Sequence, residues 1–369
     1  MTDATGPLAG LVVADFSRVL AGPYATMMLG DMGAEVIKIE RPGIGDDTRS
    51  WGPPYDSAGT ATYFNSVNRN KTSSFIDLQS EGGVAEAREI VSGADILIEN
   101  FRAGAMDRLG LGYSDLARTN PGLIYCSITG FGTGGGSALP GYDLVVQAVG
   151  GLMSVTGPDS STPTKVGVAM VDIVTGLHAL SGILAALHHR SSTGAGQQVH
   201  TSLMASVLSA LSNQSSAYLG AGVVPRPMGN KHPSLVPYEV FETADRPLAL
   251  AVGNDRQFSE LAEVLAMPKL AADERFSSNS ARVEHRDQLV DILNSALRSR
   301  TADEWYRELM ARNVPAGPVN SIDEAFAFAE SLGLEPRVQV PGAAAEGVRN
   351  PLDFSATPVN YRLPPPAGT

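Results

Sequence analysis

Asp172 stands in Val171-Asp-Ile-Val-Thr-Gly176, where an apolar stretch running to His188 begins. Between Thr119 and His189 the charged residues are Asp143, Asp159, Lys165 and Asp172 alone. A carboxylate in such a surround is costly unless it is capped, paired or used. An Asp at a helix start serves as an N-cap, and a poorly hydrated one serves as a catalytic group; the two roles do not exclude each other. Asp143, in Gly141-Tyr142-Asp143, has the same two readings at the start of a helix toward Gly150.

Gly130-Phe-Gly132-Thr-Gly134-Gly135 matches G-x-G-x-x-G after a predicted strand, which raises a dinucleotide site. Gly136, Pro140 and Gly141 delay any helix, however, so no helix N-terminus meets a pyrophosphate. The first β-α-β unit ends in Glu40, where a ribose-binding carboxylate would sit, but its own turn, Ser17 to Pro23, lacks the glycine fingerprint. An NAD-binding oxidoreductase is therefore a remote alternative to a flexible glycine loop with another use. The six histidines include no H-E-x-x-H spacing, and the adjacent His188 and His189 point about 100° apart on a helix. No metal site is expected. Cys126 is the only cysteine, which excludes an intramolecular disulfide and a thiolate cluster, and it lies in an apolar strand pattern, where a thiol acts as a small hydrophobe.

The elements that must position these groups alternate in type. Leu11 to Phe16 reads as a strand, Tyr24 to Gly33 as a helix with Pro23 in its first turn, and Ala34 to Glu40 as a second strand. The pattern repeats with a helix from Gly82 to Ser92, a strand at Asp95 to Glu99, a helix around Tyr113 to Arg118 and a strand at Leu123 to Thr129. Strands joined through helices pair in parallel, so the expectation is an α/β fold: a Rossmann-like parallel-sheet large domain over residues 1–200. A helical linker is expected at 201–225. Pro237 to Gly253 reads as two strands joined at Ala244-Asp-Arg-Pro, followed by charged amphipathic helices, giving a smaller α+β domain at 226–318. Residues 319–369, rich in Gly and Pro, read as a return segment packing on the large domain.

The 369 residues carry 27 basic and 39 acidic side chains, a formal charge of -12, which argues against nucleic acid and anionic lipid as partners. The N-terminal residues show no basic-then-apolar leader, and the most apolar stretch, Val171 to Leu187, contains Asp172 and His178. A cytoplasmic protein without a membrane span is expected.

Taken together, the motifs resemble the family III CoA transferases, which include formyl-CoA:oxalate and carnitine CoA-transferases, with the alpha-methylacyl-CoA racemases as close relatives. The resemblance rests on Asp15-Phe-Ser-Arg-Val-Leu-Ala-Gly-Pro23, Val36-Ile-Lys-Ile-Glu-Arg-Pro42, Asn68-Arg-Asn-Lys71 with Ile76-Asp-Leu78, Glu99-Asn-Phe-Arg102, Arg108-Leu-Gly-Leu-Gly112, Gly130-Phe-Gly132, Gly141-Tyr-Asp143, Asp172 with Gly176, and Thr193-Gly-Ala-Gly-Gln197. It covers nearly the whole chain. It implies that the Asp172 carboxylate attacks an acyl-CoA, passing through a mixed anhydride to an aspartyl-CoA thioester from which CoA moves to a small acceptor acid. Coenzyme A and acyl-CoA enter as substrates, with no permanently bound cofactor, and succinyl-CoA is a reasonable donor. The positions that carry over for CoA are Arg18 and Ala21 in the first loop, Arg41 and Ile76 near the adenine, Asn100 and Phe101 after the third strand, Arg108 toward the phosphates and Tyr142 at the thioester end. Gly132, Gly134 and Gly135 are expected to supply oxyanion donors or a closing loop.

Racemase relatives carry Gly-His-Asp where this chain has Gly141-Tyr142-Asp143; without the imidazole, one of the two bases for proton exchange at the alpha carbon is missing. A racemase is thus the alternative to the transferase, and an acyl-CoA-binding protein without turnover is a third. Gly135 and Ala103 stand where many relatives have Pro, and the chain stops at Thr369, short of the Gly-Glu-His-Thr segment and helix usual there. The resemblance also implies an interlocked homodimer.

Overall fold

A computed structural model describes residues 5–368. The described chain forms two compact units, one of residues 5–153, 165–225 and 335–368, the other of residues 154–164 and 226–334. The first is built on six parallel strands, β1 (Val12–Asp15), β2 (Glu35–Glu40), β3 (Lys71–Phe75), β4 (Ile96–Glu99), β5 (Ile124–Thr129) and β6 (Gln198–Ser202), in the order β3-β2-β1-β4-β5-β6. The chain leaves β1 toward one edge and returns to β4 on the other side of it. That reversal opens a crevice at the carboxyl ends of β1 and β4.

Strand residues alternate between two cores. Val13, Ile96, Ile98, Ile124, Cys126 and Ile128 face helices α1 (Ala21–Asp31) and α4 (Met170–Thr193), whereas Ala14, Leu97 and Tyr125 face the layer of α2 (Glu81–Ser92). Ser80 caps α2 by accepting the Gly83 N–H at 3.0 Å. Pro23 is the third residue of α1, which starts three residues earlier than the Tyr24 start read from the sequence. The expected strands and α2 are present; β3 and β6, the two edges, are additional.

α4 is long and apolar enough to cross a bilayer by length and composition. Here it packs on α1, β5 and β6, with Val171, Ala179, Ile183 and Ala186 in the first core. A side chain at Gly176 would place Cβ 2.6 Å from the Ala21 carbonyl, so glycine is what lets the two helices approach.

In the second unit β7 (Tyr238–Phe241) and β8 (Leu248–Ala251) pair antiparallel, as the sequence suggests, and β9 (Ala316–Pro318) adds a third strand. Helices 255–264, 286–297 and 302–311 enclose Phe241, Phe258, Phe276, Trp305 and several leucines. The sequence places the return to the first unit at residue 319; helix Ile322–Ser331 belongs to the second unit and the chain re-enters the first at Glu335. Residues 201–225 belong to the first unit rather than to a linker, because Leu203 and Val207 lie in its core.

Candidate active site

The crevice is held open by a reciprocal pair of bonds. The Arg18 N–H donates to Asn100 Oδ1 at 2.9 Å, and Asn100 Nδ2 donates to the Arg18 carbonyl at 2.7 Å, joining the loops after β1 and β4. The Arg18 guanidinium pairs with Asp47 at 3.0 Å and lies over the Phe101 ring. Beneath the loop sits a buried charge network. Lys38 Nζ donates to the Ser17 carbonyl at 2.9 Å and pairs with Asp46 at 2.8 Å, while Lys71 pairs with Asp15 at 3.2 Å. Burial alone would raise the Asp15 pKa, but Lys71 and Lys38 hold it below the usual carboxylate value. Val19, next in the loop, has φ +71°, a left-handed conformation that is strained for a β-branched residue. Its N–H donates to Asp46 Oδ1 at 3.3 Å.

Two clefts use this loop. One, of about 450 Å³, is lined by Arg18, Ala21, Asn100, Phe101, Arg108, Gly132, Tyr142 and Asp172 among others. A neighbouring hollow, also about 450 Å³, shares Arg18, Phe101 and Arg108 and adds Arg41 and Ile76. The eight positions that the resemblance assigns to CoA therefore line two neighbouring hollows that share Arg18, Phe101 and Arg108, the first of which also has Asp172 in its wall.

On the far side of Asp172 lies an apolar pocket of about 850 Å³, whose walls include Tyr24, Met27, Met28, Trp51, Tyr63, Val168 and Ile173. Val19, Tyr142 and Asp172 line both spaces. Trp51 and Tyr63 meet edge to face with ring centroids 5.3 Å apart. Nothing in the sequence singled out these two aromatics, whose pocket is assembled from six separate stretches of chain.

Asp172 is not the N-cap of its helix. It is the third residue of α4; the cap position is Ala169, which has no side-chain acceptor. The capping acceptor comes from outside: Asp143 Oδ1 takes the N–H of Val171 at 2.8 Å and of Asp172 at 3.2 Å. Asp143 is the first residue of α3 (Asp143–Val149), with Tyr142 at its N-cap. Gln147, fully buried, donates from Nε2 to Asp143 Oδ2 at 2.5 Å and accepts the Val166 N–H at 2.9 Å. The Asp143–Gln147 pair thus clamps the segment leading into the helix turn that bears Asp172. The Asp172 carboxylate itself accepts no hydrogen bond from any described residue. Burial first and the Asp143 charge second push its pKa up to about 7.

The glycine loop sits differently from expectation. The Gly132 N–H already donates to Thr129 Oγ1 at 3.0 Å, so it is not a free oxyanion donor. Gly134 and Gly135 are exposed and do not line the cleft, since the chain turns outward between Gly132 and Gly136. The next helix begins only at Asp143, which leaves no dinucleotide-type helix N-terminus after the glycines. Burial pushes the Cys126 thiol up to about 12, consistent with an inert hydrophobe. Among the described residues no cluster of His, Cys, Asp or Glu could hold a metal ion.

The model for CoA-transferase family III matches residues 8–369. The chain belongs to that family. A succinate–glutarate CoA-transferase of Agrobacterium fabrum is 43% identical over 99% of this chain and 94% of its own. Human succinyl-CoA:glutarate CoA-transferase is 40% identical over 98% of this chain and 83% of its own. The acetyl-CoA:oxalate CoA-transferase of Acetobacter aceti is 39% identical over 96% and 92%. Among solved structures, a CaiB/BaiF family protein from Brucella suis superposes with TM-score 0.89 at 41% identity, covering 99% of this chain and 97% of that one. This family III protein is accordingly a CoA-transferase whose substrates are CoA thioesters.

Proposed function

We propose that the protein moves CoA from an acyl-CoA donor, with succinyl-CoA the leading candidate, to a small dicarboxylic acid through covalent intermediates on Asp172. The observation that carries this is the half-buried Asp172 carboxylate at the junction of the Arg-lined groove and the apolar pocket. The CoA moiety lies along Arg41, Ile76, Arg108, Phe101, Asn100 and Arg18, with guanidinium groups on phosphates and purine. The acyl group enters the pocket bounded by Tyr24, Trp51 and Tyr63.

The Asp172 carboxylate adds to the thioester carbonyl and the C–S bond breaks, giving an aspartyl–acyl anhydride and CoA thiolate. The thiolate then attacks Cγ of Asp172; the donor acid leaves as its carboxylate and an aspartyl-CoA thioester remains. The acceptor carboxylate attacks the same Cγ, and the released thiolate takes the acceptor's acyl carbon, regenerating Asp172. An apolar pocket wall that keeps Asp172 poorly hydrated favours attack once the group is ionised. Tyr142 stands where racemase relatives carry the imidazole that serves as one of the two bases for alpha-carbon exchange, which disfavours a racemase. Leu177 and Leu184 of α4, Leu219 of helix Asn213–Ala221 and Val224 beyond it are exposed in the first unit, and this supports a homodimer.

The test is mass spectrometry of CoA thioesters after incubation with succinyl-CoA and pooled carboxylic acids in deuterated buffer. A new thioester, lost in Asp172→Ala, is expected. An unchanged acyl-CoA that gains one deuterium would point to a racemase, and CoA binding with no turnover to a binding protein.

A further inference from the structure

Lys165 is the one lysine or arginine in the charge-poor stretch between Thr119 and His189, and nothing so far has used it. Three cations line the apolar pocket beside Asp172: Arg69, Arg349 and Lys165. Arg69 is fully committed, with Nε and one terminal nitrogen on the two Asp31 oxygens at 2.9 and 2.6 Å and the other on the Val348 carbonyl at 2.8 Å. Arg349 pairs with Glu335. Lys165 has no carboxylate partner among the described residues; its Nζ reaches only the adjacent Val166 carbonyl, at 3.3 Å.

Its backbone is nevertheless tied to the nucleophile. Val166 N–H donates to Gln147 Oε1, Gln147 Nε2 donates to Asp143, and Asp143 accepts the N–H groups of Val171 and Asp172. One buried amide and one carboxylate therefore set the spacing between the segment bearing the free ammonium and the reacting carboxylate. An apolar pocket with a nucleophile at one point and a single uncommitted cation on its wall matches an acyl chain that ends in a second negative charge.

We infer that Lys165 binds the distal carboxylate of a dicarboxylic acyl group and so sets the preference of this site for diacids over monoacids of the same length. The inference rests on the transferase reading above. Because donor and acceptor acyl groups occupy the pocket in turn, Lys165 acts on both.

The test compares glutarate with pentanoate as acceptors, with succinyl-CoA as donor. In a two-step exchange the donor half-reaction cancels from the ratio of the two kcat/KM values. Trp51 fluorescence, read in a Trp305→Phe background, gives binding of the same two acids independently of turnover. The ratio should fall by roughly 10- to 50-fold in Lys165→Met, the worth of one charge-assisted bond, and recover largely in Lys165→Arg. Lys165→Gln provides a second neutral variant should the methionine perturb folding, and the same fall is expected. An unchanged ratio in either neutral variant with turnover retained would overturn the assignment of Lys165 and leave the transferase standing. A wild-type protein that converts no acid to its thioester would overturn the transferase, and this inference with it.

Discussion

At the scale of single residues, the carboxylate we propose as the nucleophile, Asp172, stands where both its burial and its neighbour Asp143 resist ionisation. With the Asp172 pKa raised to about 7, a drop of one pH unit below that value removes about nine-tenths of the ionised form. The rate of acyl transfer at low substrate should therefore rise with pH through 7. Asp143→Asn keeps an oxygen for the Val171 and Asp172 N–H groups but removes the charge, so the acid limb should move to lower pH. Tyr63, Tyr142, Arg69, Lys165 and Arg349 also line this space and are unchanged in that variant. A kcat/KM profile that does not move would show that Asp143 acts only as a cap. The raised pKa has a stability consequence of definite sign. A carboxyl that holds its proton more tightly folded than unfolded costs stability as pH rises above 3.8, and the full cost is present beyond 7. Asp172→Asn should then be more stable than wild type at pH 8 by about 1–2 kcal/mol, less than the whole shift because the group is half exposed; thermal melts at pH 5 and pH 8 would read the difference. Asp172 was legible in the sequence because four charges in a long apolar stretch stand out. Its cap was not, since an Asp at a helix start is compatible with capping that helix, and only folding reveals that Asp143 caps a different one.

At the scale of elements, the central strands were legible and the edges were not. β1, β4 and β5 are buried on both faces and read as mainly apolar runs, and β2 (EVIKIE) is marked by its β-branched residues at alternate and adjacent positions. β3 (KTSSF) and β6 (QVHTS) are polar, each with one neighbouring strand, so neither run length nor alternation marks them. The glycine loop misled for a related reason. A G-x-G spacing reports backbone freedom, and here it is spent on a turn that leaves Gly134 and Gly135 in solvent. The loop that does shape the site, Ser17 to Leu20, owes its form to lysines and carboxylates from β1, β2, β3 and the segment after β2. Lys71→Met would strand Asp15 in the core without its direct partner and should cost about 3–5 kcal/mol in urea unfolding. CoA affinity should weaken in step, because the loop bearing Arg18 loses its floor. A variant as stable as wild type would show that the network is not what holds the loop.

At the scale of the whole molecule, the alternation of strands and helices reads correctly as an α/β fold, while the division of the chain is more interleaved than a linear reading suggests. Residues 154–164 leave the first unit and join the second before Lys165 opens the path back to Asp172. Their Ser-, Thr- and Pro-rich composition marks a loop but does not say which unit it joins. The exposed apolar side chains of α4 and of residues 208–224 need a cover. Sedimentation equilibrium should give twice the 38.6 kDa chain mass at micromolar concentration; a monomer there would contradict the homodimer. The account's central claim is the covalent role of Asp172, and it is tested most directly by trapping. The protein is incubated with succinyl-CoA alone, quenched with hydroxylamine, digested and analysed by mass spectrometry. The account predicts that the peptide bearing Asp172 carries a hydroxamate at that side chain and that no other carboxylate does. An unmodified Asp172 in a preparation that turns over succinyl-CoA and glutarate would contradict it.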